Sequence, residues 1–346
     1  MSDSIYQQQI QHILDNIELV NDHQIRVKAS GRTYDYLHDQ ENKQSNLFGV
    51  LNQIIYTEFY TTACRPERYV PPEDQDVRMN YGPPPKDPVE QQFLEKLREA
   101  NTTEEGFDEG WELESVEANG PYMSTKGNYR RPLMPGQFIT ESFGNGLRPG
   151  ARLRYFRRKD MMQDHDAFYY CFSQTVGDDQ SANGIRLYFN IRPTGVPQLI
   201  ETLTKTFNRY QIPFDFKCLN APDRYAQRTD TAVLYLAKGV ANYAFKVLPQ
   251  VLEAIADELE KTVPAFTRPI VPGVGFAESS PSVSDSFGTS RAKVITQGIM
   301  QAIEKGLPPT KWRDTVQTML QRMGFDLQHF YLNPNSQYHY QLPELN

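Results

Sequence analysis

Two short strands with cations strung between them constrain this chain more than any other feature. From Ile212 to Leu236 the sequence reads IPFDFKCLNAPDRYAQRTDTAVLYL. Phe214 and Phe216 alternate with Asp215 and Lys217, the period-2 pattern of a half-buried strand, and Thr231–Leu236 reads as a second one. The polar, Pro-containing connection carries Arg224, Tyr225 and Arg228. A lysine held near other positive charge gives up its proton more readily and can act as a base. Arginines can grip an oxyanion through two parallel hydrogen bonds. A base and an anion clamp are the parts needed to remove a proton and expel phosphate. Cys218, next to Lys217, should point to the opposite face and into the core.

Hydrophobic content of 39% is enough for a sizeable core, and 20 tyrosines with 19 phenylalanines favour sheet over a helical bundle. A net charge of −7 argues against nucleic-acid or anionic-membrane binding, so any phosphate site is a local basic pocket in an acidic body. Three dispersed cysteines, no CxxC and a polar N-terminus lead us to expect reduced thiols and a cytoplasmic location. No window is apolar enough for a membrane span. The histidines show no ligand spacing, so neither a metal nor an organic cofactor is expected. Phosphate-loop, dinucleotide and serine-elbow motifs are missing as well.

Helical spacing marks residues 4–20, Leu47–Tyr60 and Asp87–Ala100, with a strap at 65–88 that contains seven prolines. From Trp111 the pattern changes to a hairpin around Asn119–Gly120 and strands at Gly150–Phe156, Ala167–Val176 and Gly184–Ile191. Helices are expected at 194–210, Asn242–Val263, Arg291–Gly306 and Asp314–Met323. The expected fold is α+β: a helical N-terminal region (1–104), then a domain at 105–346 with a mixed, mainly antiparallel sheet and packed helices.

The Phe216–Lys217 pair, Tyr225 followed three residues on by Arg228, and the strand DTAVLY recur in this order in the HopA-type family, named for a type III secretion effector. EGFDEGW (Glu105–Trp111), TKG (Thr125–Gly127), IRLYFNI (Ile185–Ile191), SFGTSR (Ser286–Arg291) and YLNPNS (Tyr331–Ser336) fit the same pattern. The chain therefore resembles that family from about Glu105 to Ser336. The same order is similar to the phospho-Ser/Thr lyase part of lanthionine synthetases and, more distantly, to phosphothreonine lyase effectors. That resemblance implies β-elimination of phosphate from a phosphorylated precursor peptide. A separate kinase-like protein would install the phosphate. It places Lys217 as base and Arg228 as phosphate ligand. Where the related lyases carry a histidine acid, this chain has Tyr188.

Arg186 and Tyr188 are two apart and share a strand face, which makes Arg186 a second phosphate ligand. Lys126 and Arg291 are further phosphate candidates, Arg291 because it would open a helix. Tyr225 and Asn190 are candidate peptide contacts. The run ARLRYFRRK holds five cations in nine residues. It reads as a protected sheet edge or as a guide for an acidic or phosphorylated peptide, with Arg154 nearest the pocket. The alternative to a lyase is a non-catalytic, effector-like interaction protein in which these arginines are structural.

Overall fold

The structure is a computed structural model of the chain and describes residues 3–36, 42–71, 87–116, 121–140, 147–162, 167–177, 184–282 and 284–343. The expected turn at Asn119–Gly120 and residues 72–86 of the Pro-rich strap lie outside them. Among the described residues no helix is long and apolar enough to cross a membrane.

Helix α1 (Ile5–Asn16) begins at a reciprocal cap: the Ser4 hydroxyl accepts from the Gln7 N–H at 3.2 Å, and the Gln7 side chain accepts from the Ser4 N–H at 2.9 Å. It stops short of the expected residue 20 because Ile17 turns extended and pairs with Val27. Strands β1 (Ile17–Asn21), β2 (Gln24–Val27) and β3 (Arg32–Asp35) form a small antiparallel sheet. Ile17 fits both a helical spacing from Ile13 and an alternation with Leu19, and sheet pairing wins.

Helix α2 (Lys43–Ile54) runs on into a π turn, Ile55–Tyr60. The hydroxyls of Thr57, Thr61 and Thr62 each bond a carbonyl four residues back, the kind of competition that opens a helix. Two left-handed residues without glycine's freedom, Ala63 (φ 56°) and Cys64 (φ 58°), end it. Helix α3 (Pro88–Ala100) has Asp87 as its cap and proline at its first position.

Strands β4 (Gly106–Val116), β5 (Tyr122–Lys126), β6 (Tyr129–Leu133), β7 (Phe138–Thr140) and β8 (Arg152–Arg157) form a five-stranded sheet in the order β6-β5-β4-β8-β7. Trp111, Leu113, Leu133 and Leu153 make its own small core. The larger sheet uses β9 (Asp160–Met162), β10 (Phe168–Phe172), β11 (Gly184–Phe189), β12 (Asp215–Leu219), β13 (Ala232–Ala237), β14 (Arg268–Val271) and β15 (Val274–Glu278). Its order is β14-β15-β11-β13-β12-β10-β9, and every pairing between these strands is antiparallel. The α+β expectation holds, with an all-antiparallel sheet where a mixed one was expected.

One face of the large sheet carries Leu187, Phe216, Cys218, Leu234 and Phe276, all buried. Helix α5 (Lys238–Ala254) covers it, Phe245 meeting Phe276 edge-on at 5.9 Å, with α4 (Val196–Arg209) against α5. Helix α5 follows β13 without a loop and ends before the expected Val263, where Glu260 donates its N–H to the Asn190 carbonyl. Part of the opposite face lies under the π turn and α6 (Phe287–Glu304): the Tyr188 ring sits 6.4 Å from Tyr60 and 6.3 Å from Phe287. Helix α7 (Trp312–Arg322) packs on α6. Both contacts of α6 are backbone-close. A Cβ at Gly288 would stand 2.3 Å from the Tyr60 ring, and one at Gly298 would stand 2.8 Å from the Val316 Cα.

Two buried charges hold the C-terminal segment. The Glu278 carboxylate, fully buried, receives the Lys238 ammonium at 3.0 Å, the Ser336 and Tyr340 hydroxyls, and the Asn333 N–H. Burial pushes this carboxyl up, but those four donors outweigh it and hold it below its ordinary 4.5. Arg291, also fully buried, donates to the carbonyls of Phe330 and Leu332 at 2.9 and 2.8 Å.

Two measurements follow. Gly288→Ala should cost about 1–3 kcal/mol in urea unfolding through overpacking against Tyr60, and an unchanged midpoint would refute the close approach. Glu278, depressed when folded, contributes stability that is complete above 4.5 and is lost as pH falls through its lower folded value. The stability gap between wild type and Glu278→Gln should therefore stay level from neutrality down to about 4.5 and narrow as pH falls from there to the lower folded value. A gap independent of pH would show the carboxylate is not the anchor.

Candidate functional site

Register places the nominated strand residues in rows. Tyr188 on β11 faces Val233 on β13, which faces Lys217 on β12, which faces Tyr170 on β10. The next row runs Arg186, Tyr235, Asp215, Phe172. Side chains two apart on a strand share a face, so Arg186, Tyr188, Asp215 and Lys217 all stand on the face opposite α5. Lys217 and Arg186 are two strands apart, roughly 10–12 Å between Cα atoms from standard strand spacing. Cys218 points the other way and is fully buried, as its position beside Lys217 implied.

Lys217 is half-buried, with its ammonium 3.9 Å from the centre of the Phe168 ring. Among the described residues it has no hydrogen bond or ion pair. Arg186 is only 8% exposed. Its Nε donates to the Ser279 hydroxyl at 3.3 Å and its guanidinium lies 5.1 Å from the Tyr235 ring centre, with no ion pair to a carboxylate among the described residues. A buried charge left without its counter-ion costs on the order of 3–5 kcal/mol. Tyr188 lies beneath Tyr60 and Phe287, its hydroxyl beside Arg186. Burial pushes that hydroxyl up to about 12, although the neighbouring guanidinium pulls the other way.

Arg228 stands elsewhere. Its guanidinium meets both oxygens of Asp230 at 2.8 and 2.9 Å and reaches the Tyr56 hydroxyl at 3.2 Å. It lines a recess of about 290 Å³ that also contains Tyr225, Asn190, Arg192 and Glu260. Two of these are structural clasps: the Tyr225 hydroxyl donates to the Leu219 carbonyl at 2.7 Å, and the Asn190 amide donates to the Thr262 carbonyl at 2.8 Å. Three nominated residues thus meet in one recess, but with the arginine already neutralised.

The remaining cations are scattered. Lys126 pairs with Asp108 at 2.9 Å, and the same carboxylate oxygen takes the Trp111 indole N–H at 2.6 Å. Arg154, expected nearest the pocket, pairs with Glu109 at 3.3 Å and lies over the exposed Phe107. Arg291 does not open a helix. Ser286 caps α6, accepting from the Thr289 N–H at 3.1 Å, so Arg291 falls more than a turn inside and turns to the C-terminal carbonyls among Phe287, Phe325 and Phe330. Burial pulls it down to about 9, which leaves it charged at neutral pH. The described residues contain no group of three His, Cys, Asp or Glu placed to hold a metal.

Sequence reasoning missed a cleft of about 400 Å³ between the two large sheets, lined by Arg131, Arg157 and Arg158 with Phe172 and Asp215. The signal lay in the run ARLRYFRRK. On β8, Arg157 shares its face with Leu153 and Tyr155, opposite Arg152 and Arg154.

A comparison with curated proteins found no match. Two solved structures are similar over most of the chain. One is the effector protein from Pseudomonas syringae pv. tomato strain DC3000, at 17% identity over 85% of this chain and 98% of that one, with a TM-score of 0.44. The other is the effector protein from Pseudomonas syringae pv. syringae strain 61, at 17% identity over 84% and 98%, with a TM-score of 0.42. The family model of the HopA1 effector proteins matches residues 162–332, which span the Arg186, Lys217 and Arg228 strands and α6. Residues 162–332 of this chain belong to the HopA1 effector protein family.

Proposed function

We propose that the chain is a phospho-Ser/Thr lyase acting on a peptide phosphorylated by a separate kinase-like protein, with the cytoplasm as its place of action. One observation carries this reading: a half-buried lysine and a buried arginine stand on one sheet face, neither with a carboxylate partner among the described residues. An anionic ligand would supply the missing counter-charge. In the reaction, the Lys217 amine, once its ammonium has given a proton to solvent, takes the α-proton of the phosphoresidue. The C–H electron pair forms the Cα=Cβ bond, and the Cβ–O bond breaks towards phosphate, which leaves with its electron pair. Arg186 steadies the departing oxyanion as charge develops on it. Tyr188, protonated at neutral pH, is placed to hydrogen-bond rather than to give up a proton outright. Arg228, already paired with Asp230, orders the recess beside the sheet rather than receiving phosphate.

The second reading, a non-catalytic interaction protein, is favoured by the internal partners of Arg228, Arg154, Lys126 and Arg291. Incubation of synthetic phosphothreonine and phosphoserine peptides, followed by mass spectrometry, separates the two. Elimination leaves an alkene that a thiol will trap, whereas hydrolysis would regenerate the hydroxyl. Wild type should produce the alkene, and Lys217→Ala should be slower by about 10²–10⁴-fold, the range for loss of a general base. Arg186→Lys should retain part of the activity, since it keeps charge but loses the fork. Intact peptides throughout, or a regenerated hydroxyl, would sink the lyase reading.

A further inference from the structure

The cleft between the two large sheets is not used by the elimination chemistry, yet several arginines line it. Arg131, Arg157 and Arg158 line it, and none forms an ion pair among the described residues. The Arg131 guanidinium lies over the Tyr155 ring, 5.2 Å from its centre. Arg157 spends one terminal nitrogen on the Gln174 carbonyl, and its Nε is buried with no hydrogen-bond partner. Arg158 is exposed. Three guanidiniums whose charges are not cancelled locally, set in a chain of net charge −7, form a field that attracts negative groups and gives the chain's own fold little in return.

Two further features describe the ligand. The terminal strands of both large sheets, β6 through Arg130–Leu133 and β9 through Met161, contribute to the walls, and an extended peptide can add to such an edge. The lining also includes Leu133, Met161 and Phe172, which suits side chains better than a sugar-phosphate backbone. The cleft ends on Asp215 and Phe172, members of the row beside Lys217 on the same sheet face. Asp215 and Lys217 are two residues apart on β12, about 6–7 Å along the strand. A chain lying in the cleft therefore arrives at Lys217.

We infer that this cleft takes the acidic flank of the peptide whose phosphoresidue is presented to Lys217. The inference rests on the lyase reading for the second half of that sentence and on the cleft alone for the first. A nucleic acid is the less suited polyanion. A short acidic peptide feels mainly the local field, because charges beyond about 8 Å are screened at physiological salt, while a longer polyanion also meets the acidic body.

The test separates binding from chemistry. Fluorescence anisotropy would follow an unphosphorylated, labelled Asp/Glu-rich peptide, its Lys-rich counterpart and a single-stranded oligonucleotide of similar charge. The acidic peptide should bind, more weakly as salt rises, and the Lys-rich one should not. Arg158→Glu should weaken binding at least tenfold and Arg131→Gln by a smaller factor. Lys305→Glu, an exposed reversal at the end of α6, should leave it unchanged. Arg158 is exposed, so its reversal leaves the core intact, which the unfolding midpoint would check. Equal binding by all variants, or tighter binding of the oligonucleotide, overturns the inference. Phosphopeptides with acidic and basic flanks then complete the test. A higher kcat/KM for the acidic flank, lost in Arg158→Glu through KM, supports it. Equal kcat/KM for both flanks overturns the cleft inference and leaves the lyase standing. Specific acidic-peptide binding without elimination does the reverse.

Discussion

The antiparallel pairing of β13 with β11 on one side and β12 on the other decides what every other element can do. Side chains alternate along each strand, so a slip of one residue would exchange the two faces completely. Lys217 would then enter the core where Cys218 and Phe216 now sit, and Arg186 would trade places with Leu187. Fully buried residues on the inner face, Leu187, Leu234 and Phe216 among them, make that slip prohibitive. The cost is set by apolar burial, at about 25 cal/mol per Å², and not by the polar residues. The chemistry of the outer face is thus positioned by the packing of the inner one.

Buried charge in this protein falls into two groups. Glu278 and Arg228 are neutralised by the chain itself, through Lys238 and through Asp230, while Arg291, wholly buried, spends its guanidinium on the two carbonyls that fix the C-terminal segment. Glu278 and Arg291 tie together segments distant in sequence, as Arg228 does through the Tyr56 hydroxyl, so a lost partner would leave a stranded charge. Arg186 and the cleft arginines are different. Like Arg291 they meet rings, a hydroxyl or a carbonyl and no carboxylate, but unlike it they keep some exposure instead of closing wholly inside. The contrast between charge used as mortar and charge left available is a firmer guide to function than the number of cations in any stretch.

Much of this was legible in the sequence, for definable reasons. The strands around Lys217 and the opposite placement of Cys218 follow from period-2 alternation alone. So does the shared face of Arg186 and Tyr188. Alternation says nothing of which partner a cation finds off the strand, and Arg228, expected as a phosphate ligand, is already gripped by Asp230, two residues on. Arg291 was misplaced because its helix starts at the Ser286 cap, four residues earlier than the apolar pattern suggested. The small N-terminal sheet was hidden because Ile17 satisfies two periodicities at once. The cleft was only partly legible: the run ARLRYFRRK marks its cations, but Arg131 comes from β6, Arg157 from β8 and Arg158 from just beyond it, and only tertiary folding sets these beside β10.

The π turn at Ile55–Tyr60 has a consequence for how this chain can vary. It holds one residue more per turn than an α-helix would, and the extra residue is what aims Tyr60 at Gly288 and Tyr188. Tightening it into a regular helix at unchanged length would rotate everything after it by roughly 100° about the axis. Tyr60 would leave the sheet and uncover the Tyr188–Arg186 face. The segment, buried at all six of its positions, therefore works as a phase gauge: a substitution that closes its wide turn at unchanged length alters the roof of the site at a stroke.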